Sequence, residues 1–85
     1  NLDLIERLVN AKGYQFINDK NLLKAIELFR LNVTAFPKSA NAYDSLGEAY
    51  MEVGDKVLAI KNYEMSLKLN PNNQNAKEII QKLKN

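Results

Sequence analysis

ANAYDSLGEAYMEVGDKVLAIKNYEMSLKLNPNN, residues 40–73, is the stretch whose reading decides the fold. Its apolar positions recur at three- and four-residue steps. Ala42, Leu46, Ala49, Tyr50 and Val53 mark a first amphipathic helix, and Val57, Ala59, Ile60, Tyr63 and Leu67 a second. Gly54-Asp55 interrupts the pattern between them, supplying a turn and a cap for the second helix. Pro71 pushes the preceding residue out of helical geometry and ends that helix. Each helix has one apolar face and neither is stable alone, so the pair reads as a hairpin.

Working outward, the same marks appear one period earlier. Gly13 returns as Gly47, Ala25 as Ala59, Ile26 as Ile60 and Pro37 as Pro71, while Phe16 and Phe29 return as Tyr50 and Tyr63, always 34 residues on. A fixed period of this length is the mark of a repeat architecture. Leu22, Leu23, Ile26, Phe29, Leu31 and Val33 carry the helical pattern in the earlier copy. Asp3 followed by Glu6 suits a helix start, and Asn18-Asp19-Lys20-Asn21 breaks the pattern with Asn21 as the next cap. After the two prolines, Ser39 and Asn72 or Asn73 can cap the next helix. The spacing predicts five helices, over 4–17, 22–35, 40–53, 56–69 and 74–84.

Composition sets limits on chemistry. With 46% apolar and 26% charged residues the 85-residue chain has a globular balance, although so short a chain buries a smaller fraction of its surface than a larger one. It contains neither cysteine nor histidine, which removes disulfides, thiolate nucleophiles, imidazole bases and the common zinc sites, and it calls for no cofactor. A net charge of +2, spread over 12 basic and 10 acidic residues, argues against nucleic acid as partner. No apolar run approaches the ~18–20 residues of a membrane span. The sequence starts at Asn1 rather than Met, which fits a fragment or a processed product, and leaves localisation open.

Residues 40–73 resemble a tetratricopeptide repeat. Tyr43, Leu46, Gly47, Tyr50, Ala59, Tyr63, Ser66 and Pro71 fill the motif positions in order. Residues 6–39 are similar to a looser copy, keeping Gly13, Phe16, Ala25, Phe29 and Pro37 but with Val9 for the aromatic, Lys12 for the leucine and Asn32 for the small residue. Lys12 cannot fill a packed apolar slot without snorkelling, which predicts a first hairpin distorted at its start or covered by a segment outside this sequence. Residues 74–85 look like the closing helix. The resemblance implies an all-α fold in one domain spanning 1–85: two helix-turn-helix repeats and a capping helix, a fragment of a right-handed α-solenoid. Packing alone accounts for most of the motif, since Gly47 and Ala59 let helices approach and Tyr43, Tyr50 and Tyr63 fill the gaps.

In this family the first helix of each repeat lines a concave groove that receives peptides or partner segments. Carried onto this chain, the groove comprises Arg7, Asn10, Ala11, Tyr14, Ile17 and Asn18, then Asn41, Asp44, Ser45, Glu48, Met51 and Glu52. Tyr14 is the strongest single contact candidate, because its ring offers rigid amphipathic area. Asp44, Glu48 and Glu52 stack at four-residue steps. That stripe is either a seat for a basic partner or a solvated face neutralised by lysines such as Lys12 or Lys82. One subclass of the family grips chaperone tails with lysine and asparagine; Asn10, Tyr14 and Ser45 stand at the matching places here, so that clamp is absent.

The expected function is therefore non-catalytic: protein or peptide binding in the groove. Two other readings stand beside it. Phe36–Asn41 and Tyr43–Tyr50 resemble repeat tails attached to bacterial serine hydrolases, although none of Ser39, Ser45 or Ser66 has a lysine three residues later and no histidine is present to act as base. Apolar ends, Leu2, Leu4, Ile5 and Leu8 at the start and Ile79, Ile80 and Leu83 at the finish, would let a two-repeat unit associate with a second copy.

Overall fold

The computed structural model describes residues 2–85, and among them it contains five α-helices and no strand: α1 Leu2–Asn18, α2 Leu22–Ala35, α3 Ala40–Val53, α4 Lys56–Leu69 and α5 Gln74–Lys84. Four of the five coincide with the spans predicted from periodicity. The first begins two residues earlier and ends one later, so Asp3 lies inside the first turn of α1 rather than at its cap. There its carboxylate still faces the positive end of the helix dipole.

Consecutive helices pack against one another, α1 on α2, α2 on α3, α3 on α4 and α4 on α5, and α1 also meets α3. The result is a slab of 36 × 27 × 17 Å in which each hairpin leans on the next. At the centre of each hairpin an aromatic ring lies over a glycine. Phe29 is fully buried against Gly13, and Tyr63 is 1% exposed against Gly47. A Cβ at Gly47 would come within 2.9 Å of the Tyr63 ring, and one at Gly13 would run into the Phe29 ring. The rings and glycines are therefore matched pairs, repeated at the 34-residue period. Ala25 and Ala59 are likewise fully buried. Tyr43 and Tyr50 keep part of their surface, so of the three tyrosines expected to fill gaps only Tyr63 is fully enclosed.

The two hairpin turns share one geometry. Lys20 has φ 63° and Gly54 has φ 86°, both left-handed. The N–H of Lys20 donates to Ile17 O (3.0 Å) and that of Asn21 to Phe16 O (2.8 Å); Gly54 N–H donates to Met51 O (3.0 Å) and Asp55 N–H to Tyr50 O (2.9 Å). These paired bonds close each helix C-terminus with a Schellman motif. Asp55 then caps α4, accepting from Leu58 N at 3.0 Å. Asn21, expected to cap α2, stands at that position without a side-chain bond, with its backbone N–H held by the preceding helix.

Beyond each proline the chain turns sharply, with Ser39 N–H donating to Phe36 O and Asn73 N–H to Asn70 O, both at 3.0 Å. Proline at the second position of such a turn fits its fixed φ. Ser39 accepts from Ala42 N and Asn73 from Ala76 N, both at 3.1 Å, so both caps form and Asn73, not Asn72, starts α5. Lys12 does snorkel. Its ammonium lies 5.2 Å from the centre of the Phe16 ring and donates to Gln15 Oε1 at 3.1 Å. The expected distortion is absent, since α1 is continuous from Leu2 to Asn18.

Candidate functional site

The face expected to line the groove lies on α1 and α3, which touch and are related by the repeat period, so residues about 34 positions apart meet across the two helices. Tyr14 Oη donates to Glu48 Oε1 at 2.9 Å, the clearest instance. One residue off that spacing, Ser45 Oγ donates to Asn10 Oδ1 at 2.5 Å. Ser39 extends the seam by donating to Glu6 Oε2 at 2.5 Å. These bonds hold the two helices in register.

The predicted groove residues fall into two groups. Arg7, Asn41 and Glu52 are exposed, as are Ala11 and Asn18, and Asn10, Tyr14, Asp44, Glu48 and Met51 are half-buried. Ile17 (9% exposed) and Ser45 (1%) are buried, Ile17 in the core with Phe29, Leu46 and Ala49. They support the face from beneath and present almost no surface to a partner. A shallow furrow of about 620 Å³ runs along α1 past Ala11, Tyr14 and Asn18.

Tyr14 ties these layers together. Its ring meets Phe29 edge-on, with centroids 5.3 Å apart at 63°, while its hydroxyl reaches α3. Burial, with added repulsion from Glu48 and Asp44, pushes its pKa up to about 12, against a smaller opposing pull from the Ser45 hydroxyl. Tyr63, directly under Gly47, is raised further by burial and by the nearby Glu48, Asp44 and Glu52 carboxylates. Both phenols are thus neutral hydrogen-bonding groups at physiological pH.

Asp44, Glu48 and Glu52 form no ion pair among the described residues, where the exposed pair is Lys84 with Glu64 at 3.2 Å. Lys12, one of the lysines expected to neutralise the stripe, is instead engaged with Gln15 and Phe16. Asp44 accepts a hydrogen bond from Asn73 Nδ2 (3.2 Å), and Asn73 also donates to the buried Ser66 (3.0 Å). No three of the described acidic residues converge to hold a metal ion. Sequence reasoning missed Asn73 as a neighbour of the acidic stripe; its cap role was legible, but a contact across 29 residues was not. The Tyr14–Glu48 pairing, by contrast, was available from the 34-residue period itself.

Comparison with known proteins agrees with this fold. The family model described as "Tetratricopeptide repeat" matches residues 40–73. Cellulose synthase operon protein C of Escherichia coli (strain K12) is 35% identical over 65 residues, 76% of this chain and 6% of that protein. The chloroplastic tetratricopeptide repeat domain-containing protein PYG7 of Arabidopsis thaliana is 30% identical over 73 residues, 86% of this chain and 24% of that protein. A solved structure, "First TPR of Spaghetti (RPAP3) bound to HSP90 peptide SRMEEVD", superposes with a TM-score of 0.86 at 25% identity, covering 93% of this chain and 63% of that one. The fold is that of a tetratricopeptide-repeat protein, and residues 40–73 are a tetratricopeptide repeat. The chain spans only a small part of the curated relatives it matches.

Proposed function

We propose that this chain is a non-catalytic interaction module whose inner face, formed by α1 and α3, receives an extended and basic peptide or partner segment. The observation that carries the reading is the inner face itself. Tyr14 and Glu48 are locked across the two helices, while the carboxylates of Asp44, Glu48 and Glu52 form no ion pair among the described residues. A basic segment laid along α3 would relieve their mutual repulsion. The solved neighbour that carries a bound peptide shows that a closely similar fold serves this purpose in that protein. The acidic face here, with Asn10, Tyr14 and Ser45 at the clamp positions, argues for a different ligand chemistry from its acidic SRMEEVD peptide. The reading as a serine-hydrolase tail draws no support from these comparisons.

Fluorescence anisotropy with a labelled hexapeptide of alternating lysine and leucine tests the proposal. Saturable binding should weaken with added salt, and Glu52→Gln combined with Asp44→Asn should weaken it severalfold, because exposed charges mainly steer association. Binding indifferent to both salt and substitutions would rule the acidic face out as the site.

A further inference from the structure

On the side of α3 away from the acidic stripe lies a second hollow. Tyr43, Leu46 and Tyr50 are about half a helical turn around from Asp44, Glu48 and Glu52, so the two sets face opposite directions. They floor a furrow of about 250 Å³ between α2 and α4, rimmed by Arg30 on one side and by Lys61 and Met65 on the other. No carboxylate lines it. Neither Arg30 nor Lys61 has an acidic partner among the described residues. The molecule therefore carries an acidic face on one side of α3 and a cationic, aromatic-floored hollow on the other.

We infer that this furrow is a second docking surface, which takes a bulky apolar side chain flanked by carboxylates in a short peptide segment. The volume suits one large side chain and is small for a drug-sized ligand. Its floor is apolar, and the exposed, flexible Met65 side chain can adapt to the shape inserted. Tyrosine and arginine are the residue types that carry most contact energy at protein interfaces, and both are present around this one hollow. Two cations straddling an apolar floor select for acid on both sides of the inserted residue. The inference stands apart from the inner-face proposal: the surfaces share α3 but no side chain.

Titrating the ¹⁵N-labelled 85-residue chain with the blocked pentapeptide Asp-Glu-Phe-Asp-Glu tests it by NMR. Saturable shifts centred on Tyr43, Tyr50 and Lys61 are expected. Arg30→Gln and Lys61→Gln should each weaken binding about threefold and together about tenfold or more, and Glu52→Gln should leave it unchanged. Because both cations are on the surface, these variants keep the fold, and their amide spectra will show it. The inference is overturned if the peptide does not saturate, if shifts centre on Tyr14 and Glu48, or if the double variant binds as well as the parent. Equal binding of Lys-Lys-Phe-Lys-Lys, or tighter binding of a short oligothymidylate, would overturn it too.

Discussion

Lys20 occupies the left-handed position that Gly54 fills one period later, and the difference measures what a side chain costs there. An L-residue in this conformation carries a penalty of about 1–2 kcal/mol, partly offset because glycine loses more freedom on folding. Lys20→Gly should therefore raise stability by about 0.5–1 kcal/mol in urea denaturation. Gly54→Ala should lower it by about 1 kcal/mol although no atom lies within 4 Å of the new Cβ, since the strain is in the backbone alone. The same reasoning explains Asn21. With a Schellman motif already closing α1, its backbone is committed and its side chain is not required as a cap. Asn32, read as a departure from the small-residue position that Ser66 fills one period on, is satisfied where it lies. It is 2% exposed and donates to the Glu6 carbonyl at 3.1 Å.

Among the elements, α5 has the weakest hold, with Ala76 its one buried residue and α4 its main support. Its attachment rests on Asn73, which caps the helix while bonding Asp44 and Ser66. Asn73→Ala removes all three interactions and leaves the fully buried Ser66 hydroxyl without that bond. A loss of about 1–2 kcal/mol is expected, seen as a lower urea midpoint. Lys84→Ala deletes the exposed ion pair with Glu64, more than half exposed on both sides, and should change stability by less than about 0.5 kcal/mol. If the two variants were equally costly, the surface ion pair would hold α5 as firmly as its cap does.

Over the whole molecule, stability passes from hairpin to hairpin through contacts between successive helices. Tyr14 joins the hairpins by bonding Glu48, and Tyr63 anchors the second beneath the same carboxylates. Both phenols hold their protons more tightly in the folded chain than in the unfolded one. Their contribution is complete below the ordinary phenol pKa of about 10 and drains away as the pH rises, for Tyr14 through about 12. Urea midpoints measured between about pH 8 and 12 should be level at first and then fall, with phenolate absorbance lagging for part of the tyrosine signal. Tyr14→Phe should start lower, by about 1 kcal/mol for the lost bond, and fall less steeply. A midpoint unchanged through that window would mean that neither phenol is linked to folding.

The helices, their order and the ends of four of the five were legible in the sequence because they depend on local rules: apolar spacing, proline stops and polar caps. The 34-residue period further marked Gly13 and Gly47, and Phe29 and Tyr63, as equivalent positions, while the placing of each ring over its hairpin's glycine came from the structure. Tertiary structure alone decided the rest. It withdrew Ile17 and Ser45 from the inner face, since a helix angle does not reveal how deeply a neighbouring helix covers it. It brought Asn73 to Asp44, a contact that depends on where the chain returns in space. It also opened the furrow between α2 and α4, whose Arg30 and Lys61 belong to separate hairpins and become one site only when α3 packs between their helices.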